Sequence, residues 1–378
     1  MKQAGLYLHI PFCRSRCGYC AFNSVAASRS SADHYLQLLA PEIAAHAALP
    51  WSQDHTFTSL FIGGGTPSLG SPAAVAATLD LYRRHFRISP QAEISMEANP
   101  DTVDHDSLMA WQQAGINRLS IGVQSFTDAI LKGLNRVHSG RQAVQALIAA
   151  RRSGFTNINI DLIYGLPGQT LALWQHDLRQ ALELAPEHLA LYELTIEPGT
   201  PFARAQQQKR LKLPDEELVA DMEEATLALL TPAMQRYEIS NYAQPGRQCG
   251  HNLNYWQNGS YLGLGAGAVS CLDGLRLSHE PDPRAFLDLI KQQKSTVISA
   301  ECLSPRGRFR ESMIMGLRLL AGIDLPALER RLHLSAQEVY GDLLADLMDQ
   351  GMLIREGDMV RLAAPYLAVA NQVLTKLV

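Results

Sequence analysis

The chain has 378 residues, 47% apolar and 19% charged, with 33 Lys+Arg against 37 Asp+Glu for a net charge of −4. This is the composition of a globular chain with an ample core, which excludes disorder, and the length predicts two or three domains of ~150 residues, or one large barrel with an extension. Near-neutral charge offers no field for polyphosphate, so nucleic acid is not an expected partner. No apolar run reaches the ~18 residues of a membrane span; the longest, Leu262 to Leu272, is too short and too rich in Gly. Met1 to Gly5 leads straight into an apolar strand without a signal-peptide pattern, so a cytoplasmic location is expected.

Strands and helices alternate along the first half. Leu6 to Ile10 reads as a strand, Ala32 to Ala47 as a helix, Leu60 to Ile62 as a strand, and the Ala-rich run from Pro72 to about Phe86 as a helix. The pattern continues with strand Glu93 to Ala98, helix Ser107 to Ala114, strand Arg118 to Gly122 and helix Ala143 to Arg152. Strand Ile158 to Ile163, helix Leu171 to Leu184 and strand Leu189 to Leu194 complete it. Six β-then-α units predict a parallel sheet covered by helices, either doubly wound or a barrel. The turn-rich segments follow the strands, where a barrel carries its functional loops.

Beyond residue 200 the pattern changes. Pro201 to Lys212 is polar, Pro214 to Met234 reads as a helix, and the Gly/Asn/Tyr-rich stretch from Tyr237 to Gly274 has no clear period. Arg308 to Leu377 reads as short helices with a hairpin at Leu353 to Leu362, a small winged-helix-like module. The expected division is 1–205 for the α/β core, 206–300 for a connecting region and 301–378 for the C-terminal domain.

Cys13, Cys17 and Cys20 crowd the loop after the first strand, while Cys249, Cys271 and Cys302 are scattered. Six cysteines so placed do not make a disulfide scaffold, and in a reducing compartment a cluster of thiols reads as a metal or redox site. Three thiolates on one loop can converge on one metal centre. Structural zinc takes four ligands, usually as two separated pairs, and no second pair follows here. An iron–sulfur cube held by three cysteines leaves one iron open to a ligand. Zinc with a distant fourth ligand, or three incidental thiols, are the alternatives.

Gly63-Gly64-Gly65-Thr66-Pro67 follows the second strand and is either a bare tight turn or a close backbone approach to a ligand. It is not a Walker loop, because no Gly-Lys-Ser/Thr follows. Glu97, Gln124 and Asp161 stand at or near the ends of later strands, with Arg136 in the loop after the fourth; such groups face the mouth of a barrel, or else cap and pair locally. In His251-Asn252-Leu253-Asn254-Tyr255-Trp256 an imidazole and two aromatic rings combine groups that can ligate iron and stack on a flat ring, though a structural histidine is the commoner case. Gly263 to Ala268 fits a dinucleotide fingerprint only superficially, since it opens no N-terminal βαβ unit.

The C-x3-C-x2-C loop after the first strand resembles the signature of radical S-adenosylmethionine (SAM) proteins. Leu6 to Cys13, the block Ile160 to Thr170 and the HNxxYW element resemble the branch containing oxygen-independent coproporphyrinogen III oxidase and the HemW haem chaperones. The similarity runs nearly the full length. It implies a partial TIM-type (β/α)6 barrel with a smaller, mainly helical, winged-helix-like C-terminal domain. It further implies a [4Fe-4S] cluster on Cys13, Cys17 and Cys20, and SAM held by Tyr7, Gly64, Gly65, Thr66, Glu97, Gln124, Arg136 and Asp161. In that family one-electron reduction of the bound sulfonium yields a 5′-deoxyadenosyl radical. A haem site at His251, Tyr255 and Trp256 is expected. A second histidine that some relatives carry after the Gly-rich segment is Val269 here.

Two departures favour the chaperone over the oxidase: Cys20 is followed by Ala21-Phe22 instead of C-x-C, and Cys13 lies only 12 residues from the start. The resemblance therefore implies haem binding and delivery to haem-requiring respiratory proteins, with a haem donor upstream, a monomer or cluster-dependent dimer, membrane association only through partners, and no coproporphyrinogen decarboxylation. The alternative is the oxidase, a SAM-dependent radical decarboxylase of porphyrin biosynthesis.

Overall fold

The computed structural model describes residues 1–230 and 233–378. Six strands follow the expected order: β1 (Lys2–Ile10), β2 (His55–Gly64), β3 (Ile88–Ala98), β4 (Arg118–Gln124), β5 (Ile158–Tyr164) and β6 (His188–Glu193). Each pairs in parallel with the strand before it. Strand order that equals chain order is barrel winding; a doubly wound sheet reverses direction at a switch point. Helices Pro72–His85, His105–Gln113, Gly140–Arg152 and Leu171–Glu183 fill the crossovers, and Ser71, Asp104, Ser139 and Thr170 cap them by accepting a first-turn N–H.

The single helix expected over Ala32 to Ala47 is two, Arg29–Leu38 and Ala40–Ala47, because Pro41 cannot continue the first but suits the first turn of the second. The helix expected over 214–234 is described as Glu216–Leu230; residues 231 and 232 lie outside the described residues.

Residues 206–300 do more than connect. β7 (Asn241–Ala243) runs antiparallel against β6, and β8 (Tyr261–Leu264) joins the far edge, parallel to β1. An antiparallel meander follows: β9 (Val269–Leu272), β10 (Leu275–His279) and β11 (Val297–Cys302). These strands are too short for alternation to stand out in sequence. The Gly263–Ala268 stretch is the end of β8 and its turn, where Gly265 and Gly267 take positive φ.

A second core runs from Phe309 to Leu377, in which helices Pro305–Gly316, Leu325–Leu332 and Leu343–Asp349 pack on a three-stranded sheet that includes the expected hairpin, Leu353–Glu356 with Met359–Leu362. No described helix is long and apolar enough to cross a membrane.

Along the barrel strands one set of alternate residues (Leu6, Leu8 and Ile10; Leu119, Ile121 and Val123; Ile160 and Leu162) enters the main core. The other set mixes polar residues (Glu97, Arg118, Ser120, Asn159, Asp161 and His188) with a few apolar ones such as Phe61 and Ala190. A closed TIM barrel fills its interior with layers of Val, Ile and Leu; here the opposite face lines a cavity.

Candidate functional site

Strand register builds the site in tiers. Tyr7, Phe61, Ser95 and Arg118 stand abreast on β1 to β4. One tier nearer the strand ends come Glu97, Ser120, Asn159 and His188, then Gly122, Asp161 and Ala190. Tyr7, Phe61, Arg118, Glu97, Asn159, Asp161 and His188 all line one cavity of about 490 Å³. At its mouth a smaller cavity of about 120 Å³ is bounded by Cys13, Cys17, Cys20, Gly64, Gly65, Thr66, Gln124 and Arg136. Tyr19, Cys20, Glu97, Gln124 and Asp161 belong to both walls, so the two spaces adjoin.

The cysteine loop is braced from several sides. Phe12–Cys13 pairs in parallel with Val25–Ala26, the Gly18 N–H donates to Leu134 O at 3.2 Å, Asn135 donates to Arg16 O at 2.9 Å, and Arg14 pairs with Asp101 at 3.1 Å. The N–H groups of Gly65 and Thr66 donate to Ile10 O and Phe12 O, tying the glycine turn to the same loop. A Cβ on Gly65 would lie 2.6 Å from Phe12 O, and Gly64 has φ +116° with a Cβ position 2.7 Å from the His9 ring. At Gly65 backbone meets backbone, and at Gly64 the left-handed φ itself calls for glycine.

All three loop cysteines are free and half-buried. Burial raises the Cys13 and Cys20 thiols above their usual range, a penalty that bound iron reverses by taking the thiolate. Among the described residues no three His, Cys, Asp or Glu side chains close on a point where a single ion could sit. Thiolates of an iron–sulfur cube each take a different iron and stand farther apart. The donor set fits a cube.

Arg136 reaches across the smaller cavity. One nitrogen lies 3.4 Å from Cys17 Sγ, and the other donates to Asn99 Oδ1 at 2.9 Å and to the Gly122 carbonyl. Asn99 in turn donates to Thr66 Oγ1 at 3.0 Å. Gln124, at the end of β4, is buried at φ +67°, a left-handed conformation that costs a non-glycine residue about 1–3 kcal/mol and is found where function over-determines the backbone. Glu97 accepts from Gly64 N–H at 3.1 Å; burial, then the charge of Asp161, pushes its carboxyl up to about 8. Burial likewise raises Asp161 to about 6, opposed by hydrogen bonds from Asn159 and Ser120. Two buried acids so raised favour a cationic ligand.

His251 and Tyr255 lie in the wall of the larger cavity, on helix Gly250–Trp256. The His251 ring stacks on Phe61 and Tyr7. Its Nδ1 pairs with Ser59 Oγ at 2.8 Å and its Nε2 with Tyr255 OH at 3.0 Å, so both nitrogens are engaged, and burial keeps it neutral, lowered to about 4. Trp256 is not brought to the cavity: its ring packs beneath Arg318 of the C-terminal module, 4.7 Å from the guanidinium carbon.

Several site residues escaped the sequence reading. His188 is fixed between Asn159 Oδ1 (2.6 Å) and Tyr237 OH (2.9 Å), and Asn159 also donates to Ser120 and Asp161. Glu93 holds the start of helix Gly250–Trp256 by accepting from the N–H groups of Gly250 and His251. The available signal was polar alternation within strands that otherwise read as buried, Glu93-Ser95-Glu97 and Asn159-Asp161.

The pattern of the radical SAM superfamily matches residues 7–181, and that of the HemN C-terminal domain matches 303–364. The chain is 35% identical to the heme chaperone HemW of Bacillus subtilis, over 99% of this chain and 98% of that one. It is 45% identical to the heme chaperone HemW of Escherichia coli over 76% of each chain. Its structure is similar to that of the E. coli coproporphyrinogen III oxidase HemN, a radical SAM enzyme, with a TM-score of 0.86 and 26% identity, over 100% of this chain and 90% of that one.

Proposed function

This chain belongs to the HemW family of the radical SAM superfamily, and from that premise we propose that it holds a [4Fe-4S] cluster, SAM and haem and passes haem to haem-requiring respiratory proteins. The observation that carries the reading is the shared wall: the three cysteines border the same small cavity as Gly64, Gly65, Thr66, Gln124 and Arg136, and that cavity opens on Glu97 and Asp161. When bound, the cluster supplies a one-electron reductant beside a sulfonium.

The chain's own residues then bind and orient. Arg136, held by Asn99 and Gly122, presents a fixed fork to a carboxylate. Gly64 to Thr66 bring backbone close to an amino group, and Glu97 and Asp161 answer positive charge from the barrel side. Tyr7 closes the wall, its hydroxyl 2.8 Å from His9 Nδ1, while His9 Nε2 reaches Asn23 O behind the cysteine loop. Haem is the cargo; ligation by His251 requires Tyr255 or Ser59 to give up its hydrogen bond.

The likeness to HemN favours a common scaffold, and decarboxylation is the second reading. Anaerobic reconstitution decides between them. The proposal expects a brown protein that loses its colour on Cys→Ser replacement at 13, 17 and 20, binds haem, and releases no carbon dioxide from coproporphyrinogen III. Carbon dioxide release would establish the oxidase instead; a colourless protein carrying zinc would overturn both.

A further inference from the structure

The floor of the barrel cavity carries a guanidinium that, among the described residues, no acid meets in ion-pair contact. Arg118, the first residue of β4, is 2% exposed and lines the larger cavity. Its Nε has no acceptor, and among the described residues no carboxylate stands in ion-pair contact with it. A guanidinium carries five donors in a rigid fork, and burying them unpaired is costly. The nearest acids are engaged elsewhere: Glu93 accepts from Gly250 and His251, and Asp161 from Ser120 and Asn159. His188 has both ring nitrogens committed. Beside Arg118 on the inner face, Tyr7 and Phe61 stack with centroids 6.4 Å apart and form an apolar wall. Arg136 already serves the mouth, on the cysteine side.

We propose that Arg118 anchors the carboxylate of a second organic ligand, held inside the barrel below the SAM site with its apolar body against Tyr7 and Phe61. A guanidinium and a carboxylate pair bidentately, which satisfies the fork. A short free organic acid and a propionate arm of haem share this chemistry; the haem arm rests on the function proposed above.

The test titrates the anaerobically reconstituted full chain with haem, with haem dimethyl ester and with propionate, in wild type and in Arg118→Gln. If a haem propionate occupies the site, the ester binds wild type about ten- to a hundredfold more weakly than haem, the range expected for one charged hydrogen-bonded pair. Arg118→Gln then weakens haem by a similar factor and leaves the ester unchanged. If haem and ester bind alike but propionate binding is lost in Arg118→Gln, the ligand is a small acid. If wild type treats haem and ester alike and Arg118→Gln alters neither haem nor propionate binding, the anion site is refuted. The comparison of haem with its ester in wild type needs no variant, and the cluster absorbance of Arg118→Gln reports whether that variant is folded. Failure of every protein to bind haem would remove the haem reading alone, leaving propionate to decide on Arg118.

Discussion

Arg136 Nη1 lies 3.4 Å from Cys17 Sγ, so the cation set to receive a carboxylate also touches a thiol of the cysteine loop. Arg136→Lys keeps the charge and loses the planar fork that Asn99 and Gly122 hold in place. The expected outcome is a cluster content like that of wild type, with SAM affinity lowered about tenfold. Calorimetric titration of the reconstituted protein measures it, and unchanged affinity would reduce Arg136 to a brace for the loop.

Glu97 gives a pH prediction with a definite sign. Its carboxyl, raised to about 8 by burial and by Asp161, keeps in the folded protein a proton that an unfolded chain releases near the ordinary 4.5. Folding therefore takes up a proton between those values, and stability is lost as pH rises through them. Glu97→Gln should narrow the difference in melting temperature between about pH 6.5 and about pH 8.5. A cation bound nearby favours the carboxylate, so SAM binding near neutrality should release a proton in wild type and not in the variant. Binding heats in two buffers of different ionisation enthalpy test this.

Gly65→Ala puts a methyl group 2.6 Å from Phe12 O, where only backbone can yield. An overpacked site of this kind costs about 1–3 kcal/mol, and here the strain falls on the strand pair that begins the cysteine loop. Iron per chain after reconstitution should drop well below wild type. Gly133→Ala, whose added methyl meets nothing within 4 Å, should incorporate iron normally; equal loss in both would point to general instability.

His251 and Tyr255 can be separated. His251→Ala is expected to weaken haem at least about tenfold if the imidazole is a ligand. Tyr255→Phe frees Nε2 from its 3.0 Å hydrogen bond and should leave haem affinity equal to or above wild type. Absorbance titration of both variants reads the outcome. Wild-type affinity in His251→Ala would assign the ring to the cavity wall, with Ser59 and Phe61 as its neighbours.

Much of this site was legible because its chemistry is local in sequence. Three cysteines within eight residues, three consecutive glycines after a strand, and acids near strand ends each state their purpose without a partner. What escaped depends on register. Arg118 reads as the polar start of a strand, and only its place abreast of Ser95 puts it inside the barrel. His188 and Asn159 are distant in sequence and meet because β5 and β6 pair in parallel. β7 and β8, which extend the six barrel strands on either side, were missed for a related reason: four or fewer residues show little alternation, and their partners β6 and β1 lie far along the chain. Trp256, grouped with His251 by adjacency, turns away because the short helix presents it to Arg318.

β8 is the only parallel neighbour of β1 on that edge of the described sheet, with Gly5 opposite Tyr261 and Leu8 opposite Leu264. The strand that leads into the cysteine loop therefore has both its edges paired only once residues 261–264, far along the chain, have joined it. Contacts so distant in sequence are slow to form, so the footing of the cysteine loop depends on a strand separated from it along the chain by all the other barrel strands.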